Sequence, residues 1–241
     1  MITPEEKYFF YTFGFIYLPR QFTADEIEAV THESERLWEE DRQGRPYGEQ
    51  GQFVQEFVEK SPLMTRLIED DRIYATVEAL LGPGFLWNGS EGNLIFHADA
   101  PWHADRSKET GATYSFHFYL DPLRADTGCL RVIPGSHRPP LHDELISLNN
   151  WSTDSALKVF GMSGPDLSCY FVESDPGDIV IFDQRIYHAV YGMEPGRRFL
   201  KYRFVARPET DEQVASIMRY NDRNQIYRPN EAFLNSDRPR I

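Results

Sequence analysis

Several things are scarce in this 241-residue sequence, and each scarcity removes a class of protein. Long apolar runs are missing: stretches such as DIVIF at 178–182 fall far short of the ~20 residues a membrane-spanning helix needs, so a membrane protein is not expected. Positive charge is in deficit. With 25 Lys and Arg against 38 Asp and Glu, the formal charge is −13, which opposes attraction to nucleic acid or to an anionic membrane surface. Cysteine occurs only twice, at Cys129 and Cys169, and the opening residues MITPEEKYFF are too acidic and too short in apolar run for a secretory leader. A reducing, cytoplasmic setting is therefore expected. There is no internal repeat and no low-complexity segment.

What remains is the composition of an ordinary globular protein, 41% hydrophobic and 14% aromatic, able to build a sizeable core. The length suits one domain over 1–241, divided into a helical N-terminal part to about 84, a β core of about 85–206, and a C-terminal helix and tail over 207–241.

The first third carries helix signals. Thr23 followed three residues later by Glu26 matches a capping box, and Ile27, Val30, Leu37 and Trp38 recur at helical spacing up to about Glu40. A second helical region runs from about Pro62 to Leu81, with Ile73, Val77, Leu80 and Leu81 on its apolar face, Asp70 or Asp71 capping its second half and Gly82-Pro83 ending it. From about Phe85 the pattern changes to short runs rich in aromatic and β-branched residues: NLIFHA, TYSFHFYL, CLRVIP, DIVIFD and FLKYRFVA. Strands in succession without intervening helices predict a sandwich or jelly-roll flanked by helices. Residues 138–167, with PP, NN and SGP, read as a long excursion and a candidate lid. A closing helix is expected over Glu209–Tyr220, followed by a weakly ordered polar tail.

The informative cluster is Trp102-His103-Ala104-Asp105 followed 85 positions later by His188. On a strand or at its end, residues two apart project to one face, so His103 and Asp105 can reach one ion and a histidine on a neighbouring strand completes the set. Two histidines and one carboxylate leave the remaining metal positions open, the ligand set of non-haem iron(II) oxygenases, although zinc tolerates the same three groups. Gly177-Asp178 begins a turn and buried strand that deliver His188, and Arg197 and Arg198 follow. A guanidinium suits an organic-acid cosubstrate because it stays charged and offers two parallel donors to a carboxylate. Strand alternation in RRFLKYRF groups Arg198 with Leu200, Tyr202 and Phe204 and aims it into the barrel; the plainer reading is a surface arginine, which at least one of the two must be.

These stretches together resemble the phytanoyl-CoA dioxygenase family. Family-like segments occur in order: FGFIYLPRQFTADEIEAV, SPLMTRLIEDDRIYATVEALLGPG, PWHAD, DTGCLRVIPGSHR, PGDIVIFDQRIYHAV and GRRFLKYRF, covering about residues 8–206. The resemblance implies a double-stranded β-helix of the cupin-like jelly-roll kind, with iron(II) held by His103, Asp105 and His188. It also implies 2-oxoglutarate held by an arginine, and dioxygen consumed with release of succinate and carbon dioxide. The family's arginine spacing selects Arg197, against the alternation argument for Arg198, and both stand as candidates. Relatives often follow the second histidine with a small residue, a serine and an asparagine. Here Ala189-Val190-Tyr191-Gly192 follows, and Tyr191 is offered as the replacement for that polar contact or as a closure of the pocket. Asp105 is present where halogenating relatives have a small residue, which favours hydroxylation of a small molecule.

Among secondary candidates, His117 and Tyr119 share a face of TYSFHFYL and are placed in the cosubstrate pocket, against a core histidine as the plainer reading. Asn93 and His97 are offered as substrate-lining or solvated edge residues, Trp102 as a core indole, His137 as a turn-stabilising residue and Cys129 as a buried small hydrophobe. The competing functional readings are a non-catalytic small-molecule-binding barrel and a metal hydrolase on a cupin-like barrel.

Overall fold

The computed structural model describes residues 2–96, 99–105, 111–149 and 161–223. In chain order its elements are α1 (Pro4–Phe13), β1 (Phe15–Leu18), α2 (Ala24–Arg42), β2 (Gly51–Gln55), α3 (Pro62–Glu69), α4 (Asp71–Leu81), β3 (Leu86–Ile95), β4 (Ala100–His103), β5 (Thr113–Tyr119), β6 (Leu130–Val132), α5 (Leu141–Glu144), β7 (Tyr170–Val172), β8 (Ile179–Asp183), β9 (His188–Val190), β10 (Arg197–Val205) and α6 (Asp211–Arg223).

Local chemistry fixes the helix ends. Thr23 and Glu26 form the expected capping box, and Thr3 and Glu6 form a second at α1. The region expected as one helix over 62–81 is two. Asp70 turns extended at the junction and its side chain accepts from Arg72 N, closing α3 and starting α4. The N-terminal third also contains strands the periodicity did not reveal, β1 and β2, because runs of four and five residues are too short for a period of two to stand out.

The strands form two antiparallel sheets, ordered β1-β8-β5-β10-β3-β2 and β4-β9-β6-β7. Apolar side chains segregate into three layers. Leu200, Tyr202 and Phe204 of β10, with Phe116 and Phe118 of β5, pack against Ile27, Val30, Leu37 and Trp38 of α2 and the apolar faces of α3 and α4. Between the sheets lie Phe182 and Phe199 from the larger, with Val132 and Val190 from the smaller. Behind the smaller sheet, Trp102 and Ala189 are covered by Leu145, Leu148 and Leu167. The central strands β8, β5 and β10 of the larger sheet are thus buried on both faces, helices outside and barrel interior inside. Gly92 on β3 marks how close the helical side comes, since a Cβ there would meet the Phe57 ring at 2.3–2.5 Å.

The excursion after Arg138 does not begin as a lid. Its described ends, including α5 and residues 161–167, pack on the back of the smaller sheet, where Gly164 O accepts from Trp102 Nε1 at 2.6 Å and Pro165 O from Arg131 at 3.0 Å. Residues 150–160 lie outside the described residues, as does the tail from 224. Among the described residues no helix is long and apolar enough to cross a membrane.

Candidate active site

His103 ends β4 and His188 opens β9, and the two pair across the smaller sheet. Both imidazoles project into the space between the sheets with ring centroids 4.3 Å apart. Asp105 stands two residues past the end of β4, so its side chain is brought in by a bend and not by strand alternation. One carboxylate oxygen, Oδ1, lies 3.5 Å from His103 Nε2 and 3.8 Å from His188 Nε2, and the donor atoms of all three residues fall within 4.8 Å of one another. Each imidazole has Nδ1 against a backbone carbonyl two residues earlier, His103 on Pro101 O at 2.6 Å and His188 on Ile186 O at 3.0 Å. A carbonyl accepts only, so Nδ1 carries the proton and Nε2 the lone pair, the tautomer a metal requires. Burial, reinforced by His103, pushes His188 down to about 3, so it is neutral at neutral pH.

The second oxygen of Asp105 is taken by a residue that the sequence reading did not single out. Lys201 Nζ donates to Asp105 Oδ2 at 2.9 Å. Burial opposes ionisation of Asp105, but the Lys201 ammonium and the imidazoles outweigh it and hold the carboxyl well below the ordinary range. Behind Lys201 a line of charges continues: Glu91 faces it across β3, and Arg203 is ion-paired with Glu91. The signal was in the strand parity, since Arg197, Phe199, Lys201 and Arg203 occupy alternate positions of β10.

That parity also decides between the two arginines. Alternation does hold along β10, but the face with Leu200, Tyr202 and Phe204 is the one buried against the helices. Arg198 therefore points away from the interior, paired with Asp121 and Glu35 at 2.6 Å each, and the expectation that it enters the barrel is corrected. Arg197 is inside, its guanidinium 5.0 Å from the Tyr119 ring centroid and 4.7 Å from that of Phe199. Among the described residues it makes no ion pair with a carboxylate, and its buried Nε has no hydrogen-bond partner. A buried guanidinium without an ion-paired carboxylate is costly and invites an anion.

His117 shares this interior. Its Nδ1 is 3.1 Å from Tyr119 Oη, its Nε2 is buried without a partner, and its ring stacks on Phe199 at 5.3 Å. Burial, then Lys201 and Arg197, press it well below the usual imidazole range, so it is neutral. Asn93, expected at the substrate or at a solvated edge, is 1% exposed, with Nδ2 lacking a partner. His97 lies outside the described residues. Trp102 and Tyr191 face the back of the smaller sheet, away from the histidines, which removes Tyr191 as a replacement for the relatives' polar contact. His137 is buried with Nε2 3.3 Å from Tyr11 O, and Cys129 is a fully buried member of the inter-sheet layer.

Comparison with known proteins follows the same lines. The family model described as phytanoyl-CoA dioxygenase matches residues 10–192, about three quarters of the chain and inclusive of His103, Asp105 and His188. The chain belongs to the phytanoyl-CoA dioxygenase family. Arg197 and Lys201 lie beyond the matched residues of the phytanoyl-CoA dioxygenase model. A search of curated sequences gave no match. Among solved structures, the chain is similar to HygX from Streptomyces hygroscopicus with nickel and 2-oxoglutarate bound (TM-score 0.67, 19% identity, 85% of this chain and 87% of that one). It is similar also to EctD from S. alaskensis with bound Fe (TM-score 0.65, 22% identity, 85% and 77%). A third is SnoK, described as a non-heme alpha ketoglutarate dependent carbocyclase from nogalamycin biosynthesis (TM-score 0.64, 17% identity, 95% and 92%). At these identities the likeness establishes the fold, a cupin-like jelly-roll as expected.

Proposed function

We propose that this chain is an iron(II)- and 2-oxoglutarate-dependent dioxygenase that hydroxylates a small organic molecule. His103, Asp105 and His188 are its metal ligands, and Arg197 is the partner of a 2-oxoglutarate carboxylate. The observation that carries the reading is the pairing, inside one barrel, of the buried His-Asp-His cluster with a buried guanidinium that forms no ion pair with a carboxylate of the described residues and whose Nε has no hydrogen-bond partner.

The donor set suits iron(II). Two imidazoles and one carboxylate oxygen would hold an ion from one side and leave places for a chelating acid and a gas molecule. Iron(II) with 2-oxoglutarate supplies the oxidising power, dioxygen being consumed as the oxoacid is cleaved to succinate and carbon dioxide. The residues of this chain do the rest. Carbonyls of Pro101 and Ile186 keep both imidazoles in the ligating tautomer. Arg197 offers two parallel donors to the distal carboxylate, with Tyr119 and Phe199 as apolar walls, and His117 lends a neutral ring from the adjacent strand. The apolar layer between the sheets keeps bulk water from the reacting centre. HygX bears 2-oxoglutarate with nickel and EctD bears iron, which supports a metal ion and 2-oxoglutarate as the bound groups here.

The test is anaerobic addition of Fe(II) and then 2-oxoglutarate to the metal-free protein. A visible charge-transfer band that needs both additions, and succinate on admission of air, are expected. Absence of the band together with absence of succinate rejects the proposal in favour of a binding barrel. Hydrolysis supported by zinc but not iron rejects it in favour of a hydrolase.

A further inference from the structure

Lys201 is a charged residue of the barrel interior that has no part in the reading above. It sits in the middle of β10, with His117 of β5 on one side and Glu91 of β3 on the other, so its backbone is held by a strand on each flank. Its side chain crosses the interior to Asp105 Oδ2. Asp105, by contrast, lies past the end of β4, followed directly by residues outside the described set. The imidazoles have backbone carbonyls to fix their rings. Among the described residues, the hydrogen bond from Lys201 is the contact that fixes which way the Asp105 carboxylate turns, with Oδ1 toward the two imidazoles and Oδ2 away from them.

We propose that Lys201 is a positioning residue of the metal centre: by holding Asp105 Oδ2 it presents Oδ1 alone as the carboxylate ligand and keeps the remaining positions open. The inference rests on the His-Asp-His reading of the site. Glu91, ion-paired with Arg203, stands opposite Lys201 on β3. Two effects of removing the ammonium have opposite signs. Coulomb's law alone says that taking a cation away from the ligand set tightens binding of a dication. Loss of an outer-shell partner instead frees the ligand to turn and weakens binding by ~10–100-fold. The architecture favours the second, because Asp105 has no strand to hold it.

The experiment is titration of metal-free wild type, K201M and K201R with Co(II) under anaerobic conditions, read by calorimetry and by the visible ligand-field bands. Wild type should bind. K201M should bind at least about tenfold more weakly with an altered band pattern, and K201R, which keeps charge and donors, should recover part of the loss. Binding by K201M as tight as wild type or tighter overturns the inference. So does a K201M that melts at a lower temperature without metal yet binds Co(II) normally, since that is a structural role only. Should K201M fail to fold, K201Q is measured in its place with the same two outcomes. Wild type that takes up no metal overturns the functional reading itself; wild type that binds, beside an unaffected variant, overturns only the role of Lys201.

Discussion

Arg197 and Arg198 are neighbours in the chain and opposites in the structure: Arg197 points between the sheets onto the rings of Tyr119 and Phe199, while Arg198 points outward to Asp121 and Glu35. The period-two geometry of β10 separates them, and it makes their substitutions distinguishable.

Arg197→Met should raise the 2-oxoglutarate KM by ~10–100-fold, the loss of a charge-assisted pair, with a smaller effect on metal binding. Arg198→Met should leave that KM within about twofold and cost about 1 kcal/mol of stability, since its ion pairs are partly exposed. Succinate release at varied 2-oxoglutarate and a denaturant melt check the pair; the reverse pattern would reassign the clamp.

His188→Ala and Asp105→Ala should each weaken metal binding beyond the ~10–100-fold typical of an outer-shell loss and abolish succinate formation. Chelation of wild-type metal should abolish turnover reversibly, with Fe(II) restoring it. Retained iron binding in either variant contradicts the ligand assignment.

Away from the site, Arg72 holds Glu26 and Asp70 together at the start of α4, donating to each at 2.7 Å. The Arg72 hydrogen bond lowers Glu26 from 4.5 to about 2, with the Thr23 backbone adding to it, and the same arginine lowers Asp70. A depressed carboxyl stabilises the fold above its unfolded value and loses that contribution as pH falls toward its folded value. Wild type should therefore lose its advantage over Arg72→Leu as pH drops from about 5 to 2, read as converging melting temperatures. A gap that stays constant over that range refutes the linkage.

Gly92→Ala should destabilise by about 1–3 kcal/mol, because the added methyl enters the Phe57 ring and β3 is clamped between β2 and β10. Pairing it with Phe57→Leu should recover part of the loss; failure to recover would place the strain in the backbone.

How legible was this in the sequence? The helix caps at Thr23 and Asp70, the strand runs from Thr113 onward and the histidine-carboxylate set could be read because each is a local signal: a cap, a period, a spacing. The side of the sheet was not. Leu200, Tyr202 and Phe204 announce a buried face, yet period two does not say whether the burial is against helices or inside a barrel, and here both faces are buried. Choosing the wrong one promoted Arg198 and hid Lys201, whose partner Asp105 lies 96 residues away. The described parts of the excursion, 138–149 and 161–167, differ from a lid for a related reason, since loop length signals an excursion but not which surface it covers.

That covering has a consequence for how the centre is tuned. Trp102 is bonded to Gly164 on the rear of the smaller sheet, and the next residue along the strand, His103, faces forward to the candidate metal. A strap on the rear wall and a candidate ligand on the front therefore share a single peptide link. Were a substitution in 161–167 to break the Trp102–Gly164 bond, β4 would lose a rear anchor one residue before His103, and the firmness with which the candidate centre grips an ion is expected to fall with it.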